Sequence, residues 1–263
     1  MWAGPAGPAD SRTSEGGLRP ALFAFSGVDS ACSNPMTAHD TSSSNRQHGH
    51  LAVFDLDGTL YRTAPVVVAA ILGAADEHGH ARPAEAEILE FIGRGIGDLV
   101  RAMFPLTGAE ELEATRLTVR RLERAGIRSS ATLFDGIPEL LAGLRHDGIA
   151  LAVCSNGSHE YINAVLDSTG IRGRFGLLES GYHDSSKSVA MARLRRDSGF
   201  DNIILVGDTP QDRQAAADNG LPFIAAMYGY GAANLADCEL QAGEAQEIGP
   251  LLRNWQGSTG QAG

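Results

Sequence analysis

Lysine is almost absent from this 263-residue chain: of its 21 lysines and arginines, only Lys187 is a lysine. A single ammonium where every other basic position carries a guanidinium raises the question of what that position needs, since the two cations differ in shape and in the geometry of their donors. Cysteine is scarce too. Cys32, Cys154 and Cys238 are odd in number, widely spaced and free of any CxxC pair, which argues against a disulfide framework and against a cysteine zinc site. A cytoplasmic, reducing compartment is therefore expected. No apolar run reaches the roughly 20 residues that a bilayer crossing needs; the longest, "APVVVAAILGAA" at 64–75, reads as a buried helix. No basic stripe offsets the formal net charge of -11, so phosphodiester backbones and anionic lipid surfaces would be repelled. Nucleic acid and membranes are not expected partners, whereas small anions stay open because local charge decides those.

What the chain does contain falls into two compositional regimes. Residues 1–48 are rich in Gly, Ala, Pro and Ser without periodicity and are expected to be disordered. The short apolar centre of "LRPALFAFSGVDSAC" is interrupted by Pro20 and Asp29 and is not read as an export signal. From residue 51 onward, short apolar runs end in polar residues: "LAVFD", "IALAVCS", "NIILVGD" and "LPFIAAM". These read as buried strands. Between them lie helix-period stretches, several closing on glycine. Alternating strand and helix predicts an α/β fold with a Rossmann-like parallel sheet covered on both faces. One interval breaks the alternation, since residues 64–134 carry only helical signals and read as a four-helix insertion. The expected organisation is thus an α/β core from 49–63 and 135–263, with the helical insertion at 64–134. Within that insertion "RLTVRRLERAG" reads as a solvated helix face.

Three strand ends carry chemistry. In "FDLDGTL", Asp55 and Asp57 leave a buried strand on the same side, and Gly58 lets the backbone turn. Two such carboxylates repel unless a cation joins them, and Mg2+ suits because it takes oxygen ligands and keeps several waters. In "VGDTPQD", Asp208 ends another strand, and Asp212 follows one helical turn later, after Pro210. In "CSNGSHE", Ser155, Asn156 and Gly157 open a helix whose N-H groups could cradle a phosphate. Singly, each is also an ordinary turn or helix cap. Jointly they converge on the carboxyl edge of one parallel sheet, where open α/β folds bind their ligands.

With "DLDGT" at 55–59, Ser155, Lys187 and "GDTPQD" at 207–212 in that order, the chain resembles the haloacid dehalogenase superfamily of phosphohydrolases over about residues 50–230. The resemblance implies that Asp55 is the nucleophile that takes the phosphoryl group, and that Asp57 is the general acid and base. It implies Mg2+ on Asp55, on the backbone carbonyl of Asp57 and on Asp208, with Asp212 in support. Thr59, Ser155, Asn156 and Lys187 would contact the phosphate, with Lys187 also catalytic. Asp57 itself points to phosphoryl transfer, because dehalogenase members of the superfamily lack this second acid. The helical insertion looks like the family's cap, closing over a small phosphorylated substrate.

Substrate choice is open at this level. Arg94, between glycines on a helix-to-helix loop, resembles the specificity loop of phosphoglycolate phosphatase-like members and is a candidate anion contact; Arg62, just past the nucleophile, is a second. Ser188, Val189 and Ala190 follow Lys187 in place of the Pro-x-Pro common in those relatives. A phosphatase acting on a small phosphate monoester is the leading expectation. A 5'-nucleotidase or pyrophosphatase, a beta-phosphoglucomutase-like phosphotransferase and a non-catalytic binding protein are the alternatives. His146, His159 and His183 show no metal-ligand spacing, although His183 lies near enough to Lys187 to help at a phosphate. A monomer or homodimer is expected.

Overall fold

The computed structural model describes residues 47–105, 108–182, 184 and 186–259. The expected disorder of residues 1–46, Cys32, the segment judged against export and the role suggested for His183 all lie outside the described residues. A six-stranded sheet forms from β1 (Gln47–Phe54), β2 (Ala150–Ser155), β3 (Leu177–Ser180), β4 (Phe200–Gly207), β5 (Phe223–Ala226) and β6 (Leu240–Ala242), in the order β3-β2-β1-β4-β5-β6. Every pairing is parallel. Strands buried on both faces explain the continuous apolar runs in place of alternation.

The pleat sorts those runs onto two cores. Ala52, Phe54, Leu151, Val153, Ile204 and Val206 face α5 (Ile137–His146), α6 (His159–Ser168) and α9 (Ala245–Thr259), which supply Leu141, Val165 and Leu252. On the opposite face Leu51, Val53, Ala152, Cys154, Ile203 and Leu205 meet α7 (Lys187–Ser198) and α8 (Pro210–Asp218) through Met191, Leu194 and Ala215. Cys154 therefore sits in the core as a small apolar side chain.

The first strand starts at Gln47, four residues before the apolar run, so residues 47 and 48, expected in the disordered segment, belong to the sheet. Three elements have no counterpart in the sequence reading. β3 is four residues long and only half-buried, β6 is three residues long, and α9 carries Pro250 in its interior. Short edge strands and a proline-bearing helix give weak periodicity, and packing forms them.

The expected insertion consists of α1 (Ala64–His78), α2 (Glu85–Leu89), α3 (Ile96–Met103) and α4 (Ala109–Ser130). It encloses a cluster of its own, in which Ile71, Ile88 and Val100 are fully buried. Burial is worth about 1.5–3 kcal/mol for each such side chain, which holds α2, whose single short turn could not persist alone. Two linkers join insertion and sheet side by side. Tyr61 forms an antiparallel bridge with Leu133, the Arg62 amide donates to the Thr132 carbonyl at 2.9 Å, and the Phe134 amide donates to the Leu60 carbonyl at 3.1 Å.

Candidate active site

Register brings the acidic strand ends to one edge. Phe54 pairs with Val153 on one side and Val206 on the other, so Asp55, Ser155 and Asp208 leave the sheet within about one residue of each other. The Asp55 amide still donates to the Val206 carbonyl at 2.8 Å. Beyond it the chain turns sharply, with the amides of Leu60 and Tyr61 both donating to the Leu56 carbonyl. Gly58 makes the turn possible at φ 92°, and a side chain there would place its Cβ 2.3 Å from Asp208 Oδ2. Only glycine fits both demands.

Asp55, Asp208 and Asp212 form a buried cluster in which one carboxylate oxygen from each lies within 4.8 Å of the others. Lys187 is the first residue of α7, where the helix dipole disfavours a cation. Its ammonium is buried and donates to both Asp55 Oδ1 and Asp212 Oδ1, which offsets that cost. Asp208 accepts from Thr59 Oγ1 at 3.0 Å and from the Tyr230 amide at 2.8 Å. Asp212 closes a capping box at the start of α8, accepting from the Thr209 amide at 3.0 Å.

Three carboxylates against one ammonium leave an excess of negative charge where water is scarce. Burial pushes the Asp55 carboxyl well above the usual range; Lys187 opposes this, while Asp212, Asp208 and Asp57 add to it. Burial and the charge of Asp212 push Asp208 up to about 7, against the hydrogen bonds from Thr59, Gly231 and Tyr230. Burial also works against the Lys187 ammonium, but Asp212 and Asp55 outweigh it and hold the group above its ordinary value. Buried carboxylates with so little compensation suit a hard divalent cation, and the all-oxygen donor set fits Mg2+.

Asp57 stands outside this cluster. Its Oδ1 accepts from Thr63 Oγ1 at 2.8 Å and from the Tyr161 hydroxyl. Burial raises its pKa, while Tyr161, Thr63, Lys187 and Ser155 hold it down. A cavity of about 380 Å3 opens above Asp55 and Asp57, walled by Asn156 and Tyr161 from the sheet side and by Arg94, Arg120 and Glu123 from the helical insertion.

The model of the haloacid dehalogenase-like hydrolase family matches residues 52–226. The chain belongs to that family. It is 29% identical over 181 residues to a phosphoglycolate phosphatase of Synechococcus elongatus, covering 68% of this chain and 84% of the relative. It is 30% identical over 203 residues to the tyrosine-protein kinase PtkA of Mycobacterium tuberculosis, covering 74% of this chain and 68% of the relative. Among solved structures, a predicted phosphoglycolate phosphatase from Haemophilus somnus superimposes with a TM-score of 0.72 at 21% identity, covering 78% of this chain and 99% of that one.

Within this haloacid dehalogenase-like frame, most expected residues converge and three take other partners. Asp55, Lys187, Asp208 and Asp212 meet in the buried cluster, and Asp57 shares the cavity wall with Asp55. Ser155 is buried beside Asp57, and its Oγ accepts from the Gly157 amide at 3.0 Å. Thr59, expected on the phosphate, is fully buried and spends its hydroxyl on Asp208, which orients that carboxylate. Asn156 donates to the Gly93 carbonyl at 3.0 Å, tying the sheet edge to the loop after α2. Arg94 stands on that loop at the cavity wall, its guanidinium 4.7 Å from the centre of the Phe91 ring.

Arg62 is not among the residues that line this cavity. It clamps the linkers, donating from Nε to the Leu133 carbonyl at 3.1 Å, pairing with Asp135 at 3.1 Å and covering the Phe134 ring. His146 and His159 are exposed. The charged face of α4 is likewise only partly solvated, because Arg120, Glu123, Arg124 and Arg128 line the cavity. Tyr161, Thr63 and Glu123 are the residues the sequence reading missed. Thr63 lies six residues after Asp57, a spacing visible in the chain; nothing in the linear sequence pairs Tyr161 or Glu123 with the strand ends. Among the described residues no helix is long and apolar enough to cross a membrane.

Proposed function

We propose that the protein is a Mg2+-dependent phosphatase that hydrolyses a small phosphate monoester through an aspartyl-phosphate on Asp55. The observation that carries this reading is the separation of two acidic roles around one cavity. Asp55 shares the buried cluster with Lys187, Asp208 and Asp212, whereas Asp57 is held apart by Thr63 and Tyr161. A carboxylate with its own donors and a raised pKa is suited to carry a proton.

In the first half-reaction an Asp55 oxygen attacks phosphorus and the bond to the ester oxygen breaks. Asp57 delivers its proton to that leaving oxygen. In the second, Asp57 takes a proton from water as the water attacks the acyl phosphate, which releases inorganic phosphate and restores Asp55. Lys187 favours the ionised Asp55 that attacks, against the burial that raises its pKa. Asp55, Asp208 and the Asp57 carbonyl would hold Mg2+, with Asp212 behind, and the bound ion supplies neutralisation of charge between nucleophile and phosphoryl oxygens. The helical insertion covers the cavity, excluding bulk water from the reaction. A cavity of about 380 Å3 supports a small ester, in line with the phosphoglycolate phosphatase among the relatives.

The experiment is release of phosphate from p-nitrophenyl phosphate with and without Mg2+, by wild type and by Asp55→Asn. Activity only in the wild type with Mg2+ is expected, and equal rates in the two proteins would sink the mechanism. The likeness to a tyrosine-protein kinase supports a second reading, in which the phosphoryl group passes to another hydroxyl instead of water. Product analysis separates the two: free phosphate supports the phosphatase, and a phosphorylated acceptor the transferase.

A further inference from the structure

Helix α4 crosses the top of the cavity with Arg120, Glu123, Arg124 and Arg128 on its lower face. The spacing of three and four residues puts these side chains on one side of a helix. Two of the arginines already have partners on the sheet side. Arg120 donates to the Tyr182 hydroxyl and stands 5.1 Å from that ring centre, and Arg124 pairs with Glu160. Glu123 is different: it lines the cavity with Asp55 and Asp57, yet among the described residues it has neither a hydrogen bond nor an ion pair. Burial and the charge of Asp57 push its carboxyl up to about 8, opposed by Arg120 and Arg124. Its side chain is only partly buried, so solvent can serve it in the free protein, and a ligand that fills the cavity must supply a donor in that solvent's place.

We infer that Glu123 is a specificity-determining residue, and that the substrate is a phosphate monoester bearing a hydrogen-bond donor, a hydroxyl or an ammonium, within a few atoms of the phosphorus. The inference rests on the phosphatase reading and narrows it. A hydroxyl or ammonium on the leaving group gives Glu123 its missing partner. A carboxylate in the same place has no hydrogen to give Glu123 and, once that group is ionised above about 8, meets a like charge in a site of low dielectric; discrimination by such mismatches is large because the protein group stays unpaired. Phosphoglycolate, which carries a carboxylate there, is accordingly a poor substrate for this chain, whatever its relatives hydrolyse.

The test uses the whole protein with Mg2+, at a pH above the value of about 8 at which Glu123 ionises, and three esters that share the phosphate-O-CH2 unit: glycerol 3-phosphate, phosphoethanolamine and phosphoglycolate. p-Nitrophenyl phosphate serves as a fourth, with neither donor nor carboxylate. The readout is the ratio of kcat/KM for each donor-bearing ester to that for phosphoglycolate, in wild type and in the near-isosteric Glu123→Gln. The wild type is expected to favour one donor-bearing ester over phosphoglycolate at least about tenfold, and Glu123→Gln to collapse that ratio by about tenfold or more. A preference for glycerol 3-phosphate assigns the donor as hydroxyl, and one for phosphoethanolamine as ammonium. A wild-type preference for phosphoglycolate, or the same ratio in both proteins, overturns the inference while leaving the phosphatase intact. If none of the four esters is hydrolysed, the phosphatase reading fails and takes the inference with it.

Discussion

The hydroxyl of Tyr161, on α6, donates to Oδ1 of Asp57, 104 residues earlier in the chain. The bond joins a strand-end acid to a helix that starts after the neighbouring strand, and it favours the ionised form of Asp57. Burial works in the opposite direction and raises the Asp57 pKa overall.

Removing that hydroxyl has a definite sign. In Tyr161→Phe the Asp57 pKa rises further, so the group that must be protonated to release the leaving oxygen stays protonated to higher pH. The alkaline limb of the kcat/KM profile is expected to move upward, with kcat falling roughly tenfold as the second step loses a ready base. A profile superimposable on that of the wild type would remove Tyr161 from the mechanism.

Lys187 permits two substitutions with different outcomes. Lys187→Arg keeps the charge but not the compact geometry between Asp55 and Asp212, and is expected to lower kcat/KM at least about tenfold, or about 1.4 kcal/mol, with little change in thermal unfolding. Lys187→Met leaves buried carboxylates without their ammonium and is expected to cost about 3–5 kcal/mol of stability as well. Kinetics and melting curves on the two variants check this; an arginine variant with wild-type rates contradicts it.

Stability without metal should depend on pH through Asp208. Its carboxyl holds a proton up to about 7 in the folded protein, against an ordinary value of 3.8. Between those values the folded state binds more protons than the unfolded one, so the Asp208 contribution is present at low pH and is lost as pH rises through 7. Mg2+ competes with those protons and is expected to raise the melting temperature more at about pH 7.5 than at about pH 5. Scanning calorimetry at both values, with and without Mg2+, decides it; an equal Mg2+ effect at the two would refute the assignment of the cluster.

Gly58→Ala asks for a Cβ where Asp208 Oδ2 stands, at a backbone angle that side chains seldom adopt. The strain alone is expected to cost about 1–3 kcal/mol, and displacement of Asp208 should weaken Mg2+ binding in titration calorimetry. Unchanged affinity would show that Asp208 is not a ligand.

Arg62→Ala and Arg94→Ala should part company. Arg62 is spent on the linkers, so its loss is expected to leave the ranking of esters by kcat/KM unaltered. Arg94 faces the cavity, and its loss should raise KM for esters with a second anionic group. A changed ranking in Arg62→Ala would return that residue to the substrate.

The sequence by itself determined the α/β alternation, the four-helix insertion and the acidic strand ends, because each is written in local terms. Apolar runs the length of a strand, helical periodicity and aspartates just past a strand depend on neighbours a few residues away, and parallel order follows from the alternation. It also singled out Lys187, since a lone ammonium among guanidiniums is visible without coordinates. β3 and β6 escaped because edge strands of four and three residues have little pattern. The partners of the site were decided only by tertiary structure. Thr59 turns to Asp208 and Arg62 to the linkers, while Tyr161 and Glu123 reach the cavity from α6 and from the insertion. A hydrogen bond spanning 104 residues, like a carboxylate left alone under a helix, is a matter of register and packing. Those are properties of the folded chain, and no window of sequence contains them.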